Sequence, residues 1–90
     1  MKNKIVLITG ATSGIGKATA IGLAKLGAEI VFTARNKEKA EQTKNEILVQ
    51  VPAAKISWLL CDLSSLQSIK NCAEEYKTKH TKLDVLINNA

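Results

Sequence analysis

Short runs of apolar residues alternate along this chain with longer segments in which apolar positions recur every three or four residues. The short runs are rich in Ile, Val and Leu and are bounded by turn-forming residues, which predicts strands buried on both faces of a sheet. The longer segments predict amphipathic helices. The predicted strands are Lys4–Thr9, Glu29–Ala34, Lys55–Leu60 and Leu83–Ile87.

Three predicted helices fill the gaps between these strands, and each has an end signal. Gly27 can stop the first helix in the left-handed conformation. Asn36 can cap the second helix, which ends before Pro52, and Ser64 or Ser65 can cap the third. We expect the apolar positions of each helix to face the sheet. In chain order they are Ile15, Ala18, Gly22, Leu23 and Leu26; Ala40, Ile47, Leu48 and Val51; and Leu66, Ile69, Cys72, Ala73 and Tyr76.

The order of elements is therefore β-α-β-α-β-α-β over residues 1–90, with no repeat, linker or low-complexity segment. Strands joined by a crossover of helix length run parallel, and such crossovers are right-handed. The pattern predicts one α/β domain, in which an open parallel sheet carries helices on both faces.

A glycine-rich loop, Thr9–Gly16 (TGATSGIG), follows the first predicted strand. A loop at this position that opens into a helix binds dinucleotides in α/β sheets, because the helix N-terminus presents free N–H groups to the pyrophosphate. Gly10 would form the tight turn, Gly14 would let the phosphate approach, and Gly16 would pack the helix on the strand. A glycine-rich turn without a ligand is the alternative. A P-loop is excluded, because alanines stand where its first glycine and its magnesium-binding hydroxyl are required.

The end of the second strand indicates which dinucleotide binds. A carboxylate there would accept hydrogen bonds from the ribose of NAD, and an arginine would pair with the 2′-phosphate of NADP. The strand ends Ala34-Arg35 with no acid, which favours NADP(H) over NAD(H) unless Arg35 only begins a solvated loop. Asp62, after the third strand, could accept a hydrogen bond from the adenine amino group, or it could be a cap or first-turn acid of the third helix.

Composition and charge argue against several other classes of protein. Hydrophobic residues make up 46% of the 90 residues, which argues against disorder. The net charge of +5 is spread without a run of like charges, and the three aromatic residues are not interleaved with it, so no nucleic-acid partner is expected. Cys61 and Cys72 fall at apolar positions without a metal-ligand pattern, which predicts reduced core thiols. Without a visible signal peptide or membrane-spanning stretch, we expect a cytoplasmic location and no membrane segment.

Together these landmarks resemble the short-chain dehydrogenase/reductase family. The resemblance rests on the loop Thr9–Gly16, on Asp62-Leu63, and on Leu86–Ala90, which begins the family's Asn-Asn-Ala-Gly motif. Three segments resemble the retinol-dehydrogenase-like branch in particular: the glycine loop through Lys17, Ala34-Arg35, and Asp62–Leu66. The resemblance covers the whole chain and implies a Rossmann-type doubly wound parallel sheet that is truncated after strand four.

The same resemblance implies roles around bound NADP(H). It implies that Arg35 binds the 2′-phosphate and that Asn88 ties the fourth strand to its neighbours. The other implied cofactor-binding residues are Gly10, Ser13, Gly14, Ile15 and Gly16 around the pyrophosphate and neighbouring ribose, Asp62 and Leu63 beside the adenine, and Asn89 and Ala90 on the adenosine-ribose side.

The implied activity is hydride transfer between NADP(H) and a small-molecule alcohol or carbonyl. The family's catalytic Asn, Ser and Tyr-x-x-x-Lys follow the Asn-Asn-Ala-Gly motif, and Tyr76 has His80 where the lysine is required. We therefore expect an NADP(H)-binding N-terminal part that is inactive alone. Its open strand edge, Asp84–Asn88, favours self-association. The alternative is a non-catalytic NADP(H)-binding or sensing module.

Overall fold

The four apolar runs form strands and the three longer segments form helices in the computed structural model, which describes residues 2–12 and 14–89. Three strands begin one or two residues later than predicted: at Ile5, Ile56 and Val85, where Lys4, Lys55 and Leu83 were expected. The strands are β1 (Ile5–Thr9), β2 (Glu29–Ala34), β3 (Ile56–Leu60) and β4 (Val85–Asn88). The helices are α1 (Gly14–Lys25), α2 (Lys37–Gln50) and α3 (Leu66–Lys79).

All four strands run parallel in the order β3-β2-β1-β4. The register places Ile8 opposite Phe32 on one side and opposite Ile87 on the other. The chain winds outward from β1 to β3 and then returns to β4 on the far side of β1. The direction of winding therefore reverses between β1 and β4, where doubly wound sheets bind ligands at the carboxyl ends of the strands. The Rossmann-type prediction is confirmed.

Helices cover both faces of the sheet, and they bury two separate clusters. On one face, α1 and α2 pack against a large cluster centred on Ile8, Ile30 and Phe32. On the other face, α3 packs against a smaller cluster around Val31 and Leu59. Cys61 and Cys72 are buried in the second cluster as free thiols, as the sequence predicts.

The predicted buried face of α1 is wrong. Ile15 is 77% exposed and Leu26 is 61% exposed, and Ala18 and Gly22 also face solvent. Only Leu23 of that set is half-buried. The residues of α1 that are fully buried are the small ones, Gly16, Ala20 and Ala24, and Ile21 and Leu23 pack half-buried against the same cluster.

The predicted face of α3 is correct in part. Cys72 and Tyr76 pack against the sheet in a row at i,i+4 spacing. Leu66, Ile69 and Ala73 belong to the neighbouring row of the helix and are exposed. On α2, by contrast, Ala40 and Ile47 are buried and Leu48 and Val51 are half-buried, as predicted.

The predicted helix ends are confirmed. Asn36 caps α2 by accepting hydrogen bonds from Glu38 N (2.8 Å) and Lys39 N (3.2 Å). Of the two candidate serines, Ser65 caps α3. Gly27 follows α1 with φ of 91°, in the left-handed region. None of the helices in the described part of the chain is both long and apolar enough to cross a bilayer.

Candidate functional site

The loop between β1 and α1 turns at two glycines. Gly10 has φ of 70° and Gly14 has φ of 56°, in the left-handed region that a side chain disfavours. Helix α1 begins at Gly14, so its free N–H groups lie directly after the carboxyl end of β1. The turn on which the phosphate-binding prediction rests therefore has the expected geometry. Ser13, which was also assigned to it, lies outside the described residues.

Gly14 and Gly16 are required for different reasons. A Cβ at Gly16 would lie 2.5 Å from Gly10 O and 2.5 Å from the Asn89 side-chain nitrogen, so any larger residue would push the loop away from α1. A Cβ at Gly14 would meet no atom within 4 Å. Gly14 is thus required by its positive φ and leaves open space where a phosphate could approach, whereas Gly16 is required by close packing.

The end of β4 holds the glycine loop from the opposite side. Thr9 Oγ1 donates a hydrogen bond to Asn88 Oδ1 at 3.1 Å and accepts one from Asn89 N at 2.9 Å. The Asn89 side chain donates to Gly10 O at 3.2 Å. Asn88 therefore ties β4 to β1, as the resemblance implies, and Asn89 supports the turn. Ala90 lies outside the described residues.

A cleft of about 600 Å³ opens at the carboxyl ends of β1, β2 and β3. It brings together four of the predicted site residues, Gly10, Arg35, Asp62 and Leu63. Gly16 and Asn89 do not line the cleft but contact the loop at Gly10, and Ile15, in the first turn of α1, is exposed. Seven further residues of the cleft wall were not predicted as site residues: Thr12, Thr33, Ala34, Asn36, Lys39, Cys61 and Ser64.

Asp62 is held in a defined orientation within this cleft. Its Oδ1 accepts hydrogen bonds from Ser64 Oγ at 2.7 Å and from Ser64 N at 3.0 Å. These hydrogen bonds, with a smaller contribution from the charge of Arg35, lower the pKa of Asp62 below its usual value. Asp62 is therefore a carboxylate at neutral pH that can accept a hydrogen bond in the cleft. It is not the cap of α3, because Ser65 is.

Tyr76 does not have the environment of a catalytic tyrosine. Its hydroxyl donates a hydrogen bond to Lys82 O at 2.6 Å, and its ring stacks on His80. Burial, together with the negative charges of Glu29 and Asp84, raises the pKa of Tyr76, which opposes formation of a phenolate. The residue is a structural aromatic at the C-terminal end of α3.

Comparison with known proteins agrees with this geometry. A sequence profile of the short chain dehydrogenase family matches residues 4–90. The chain is 39% identical over 88 residues to the polyprenol dehydrogenase of Homo sapiens, and the match covers 98% of this chain and 27% of that protein.

Two crystal structures contain the same arrangement of strands and helices. A metagenomic short-chain oxidoreductase in complex with NADP superimposes on the whole chain with a TM-score of 0.89 at 37% identity. YwfH, an NADPH-dependent reductase involved in bacilysin biosynthesis, does so with a TM-score of 0.89 at 33% identity. The chain spans 40% and 38% of these two proteins. The profile match and the shared architecture show that the chain belongs to the short-chain dehydrogenase family.

Proposed function

We propose that the cleft binds NADP(H) and that the chain is the cofactor-binding part of an oxidoreductase acting on a small-molecule alcohol or carbonyl. The observation that carries the proposal is the position of Arg35. It follows β2 and lines the same cleft as Gly10 of the glycine loop, and Thr33 and Ala34 beside it bring no acid. The relatives solved as an NADP complex and described as an NADPH-dependent reductase support the choice of cofactor.

The residues of the site suit such a dinucleotide at three points. The turn at Gly10 and Gly14 would receive the pyrophosphate at the N-terminus of α1, with Ser13 and Ile15 beside it. Arg35 would pair with the 2′-phosphate. The remaining proposed contacts are Asp62 and Leu63 with the adenine, Gly16 through its support of the loop, and Asn89 and Ala90 beside the adenosine ribose.

The position of Asp62 is also compatible with the proposed preference for NADP(H) over NAD(H). It is the one acidic residue that lines the described part of the cleft, and its Oδ1 is already engaged by Ser64. Asp62 follows β3, and not β2, where a carboxylate would favour the ribose hydroxyls of NAD. A 2′-phosphate would therefore meet Arg35 without a competing acid at the same strand end. When bound, NADP(H) would supply the hydride, and these residues would only bind and orient it.

Cofactor selectivity can be tested with a double substitution, Ala34→Asp together with Arg35→Ser. We expect the unmodified chain to bind NADPH more tightly than NADH, and the double variant to reverse that order. Loss of a charge-assisted phosphate contact costs about 1.5–3 kcal/mol, which corresponds to roughly a 10- to 150-fold change in affinity. Lys37→Gln removes a nearby cation that does not line the cleft and serves as the control. Equal affinity of the unmodified chain for both cofactors would contradict the proposal.

A second candidate function is binding of NADP(H) without turnover. The 90 residues themselves contain no Tyr-x-x-x-Lys pair, and Tyr76 is the one tyrosine among them. On either reading, we expect the chain alone not to oxidise NADPH in the presence of a carbonyl compound. Membership of the retinol-dehydrogenase-like branch and a cytoplasmic location stay predictions from the sequence.

A further inference from the structure

A second cavity opens at the amino ends of the strands, at the edge of the sheet opposite the cleft. We call it the amino-end cavity, and Lys2, Gly27, Glu29 and Lys55 stand around it. Its volume is about 670 Å³, within the range of about 300–1,000 Å³ that is usual for small-molecule sites. None of the described residues that line it also lines the cleft, so the two cavities are separate.

The start of the chain is fixed against the end of α1 and brings a lysine to this cavity. Asn3 has φ of 65°, in the left-handed region that asparagine tolerates better than most residues. Its carbonyl oxygen accepts a hydrogen bond from Lys82 Nζ at 3.0 Å. A Cβ on Gly27 would lie 3.2 Å from Lys2 Cα, so the two backbones are in close contact. Lys2 therefore lies beside the end of α1, although it precedes β1 in the chain.

Positive charge collects around the amino-end cavity. Four lysines line it, against one acid among the described residues, Glu29. The carboxylate of Glu29 lies 3.8 Å from His80 Nδ1, and Lys82 pairs with Asp84 at 3.4 Å. Within residues 2–12 and 14–89, the other three lysines have no carboxylate within 4.0 Å of their ammonium groups: Lys2, Lys25 and Lys55. Three uncompensated cations around one concave surface attract an anion.

The helix ends at this cavity account for only one of the three cations. A cation in the last turn of a helix compensates the negative end of the helix dipole, and Lys25 has that position in α1. The last turn of α2 holds no basic residue. Lys2 and Lys55 lie outside the helices. They therefore bring positive charge to the cavity that the helices do not require.

The wall between the lysines is apolar. Ala24 and Ala28 are buried, Val51 and Ala54 are half-buried, and Leu26 is 61% exposed. No aromatic residue is among the described residues of the lining, whereas segments that rest on a membrane commonly place Trp, Tyr or Phe at the lipid surface. A concave apolar wall with cations at its edge suits one small molecule with an anionic head and an alkyl chain better than it suits a lipid surface.

We propose that the amino-end cavity binds a medium-chain fatty acid. Its carboxylate accepts charge-assisted hydrogen bonds from the ammonium groups of Lys2 and Lys55. Its alkyl chain lies against Leu26 and Val51, where each methylene group that leaves water adds to the affinity. The carboxylate alone would gain only weak ion pairs at an exposed site. The inference does not depend on NADP(H), because the two cavities share no described residue.

Three ligands separate the head group from the chain: octanoate, 1-octanol and acetate. Each is titrated into the 90-residue chain. Binding is followed by NMR at the backbone amides of Gly27 and Ala54, which line the amino-end cavity, and of Gly10, which lines the cleft. We expect octanoate to bind at millimolar concentration and to shift the signals of Gly27 and Ala54. Acetate and 1-octanol should each bind at least about fivefold more weakly, because each lacks one of the two interactions.

Lys2→Gln and Lys55→Gln remove the two lysines that lie outside the helices. We expect each substitution to weaken octanoate binding about two- to fivefold and to leave 1-octanol binding unchanged, as for an exposed ion pair. Leu26→Ser should weaken octanoate and 1-octanol alike. Lys70→Gln is the matched control, because Lys70 is exposed, has no carboxylate within 4.0 Å among the described residues and lines neither cavity.

Four results would overturn the inference. Equal affinity for octanoate and 1-octanol would show that the lysines do not act on the carboxylate. An equal loss in Lys70→Gln would show that only the net charge of the chain matters. Shifts confined to Gly10 and its neighbours would place the ligand in the cleft. Binding to vesicles that contain phosphatidylserine, without binding of octanoate, would show that this edge of the sheet contacts a membrane instead.

Discussion

Replacing Gly16 by alanine tests the packing of the glycine loop with a single methyl group. The added Cβ would lie 2.5 Å from Gly10 O, 2.5 Å from the Asn89 side-chain nitrogen and 3.0 Å from Ala11 Cα. Non-bonded heavy atoms prefer about 3.5–4.0 Å, so the loop must move by roughly 1 Å. Such overpacking costs about 1–3 kcal/mol, and the better helix propensity of alanine offsets up to about 1 kcal/mol of that cost.

Gly22→Ala is the matched control, because Gly22 is exposed on the same helix and its Cβ would meet no atom within 4 Å. It gains the helix propensity without the clash, so the chain should become more stable by up to about 1 kcal/mol. With an m-value of about 1 kcal/mol per molar urea, the midpoints of the two variants should differ by roughly 1–3 M. NADPH affinity should fall for Gly16→Ala alone. A Gly16→Ala midpoint at or above that of Gly22→Ala would refute the reasoning.

Three further predictions concern the glycine loop, the carboxylate of Asp84 and the open edge of β4. Gly14→Val should remove dinucleotide binding while the circular dichroism spectrum is kept, since a β-branched residue disfavours φ of 56°; unchanged binding would show that the loop is not the site. The hydrogen bond from Ile5 N, and to a smaller extent Lys82, lower the pKa of Asp84. The contribution of Asp84 to stability is therefore present at neutral pH and is lost as the pH falls below about 4. Asp84→Asn should flatten that acidic part of the plot of urea midpoint against pH, and an unchanged plot would argue against this role. The open edge of β4, where Leu86 is 58% exposed, should make the chain self-associate in sedimentation experiments, and Leu86→Lys should reduce this; a stable monomer would contradict the prediction.

The sequence predicts the elements of this fold well because their signals are local. The apolar runs define the strands to within two residues, and Asn36 caps α2 through bonds to N–H groups two and three positions away. The rotation of α1 could not be predicted in the same way. Which face a helix buries depends on its tertiary packing against the sheet, and here Ala20 and Ala24 are buried while the larger Ile15 is exposed.

The residues of the candidate site also differ in whether their position could be predicted from local sequence. Gly10, Arg35 and Asp62 were predicted because each follows a strand, and parallel strands end at one edge of the sheet. Lys39 was missed because its place in the cleft depends on the path of the first turn of α2, which no short sequence motif specifies. The bonds from Thr9 to the end of β4 join residues 79 and 80 positions apart, so their geometry becomes visible only in the folded sheet.

The hydrogen bonds between the glycine loop and the end of β4 also affect the order in which the chain folds during synthesis. Thr9 and Gly10 lie near the beginning of the chain, but their partner Asn89 is 80 and 79 positions further along. Synthesis at about 5–20 residues per second delivers Asn89 roughly 4–16 seconds after the glycine loop. During that interval β1, β2 and β3 can pair through their shorter crossovers, but the loop lacks its support from β4. Contacts between residues so distant along the chain form late in folding, since they close the longest loops. A nascent chain should therefore pair its first three strands before it acquires a finished loop between β1 and α1.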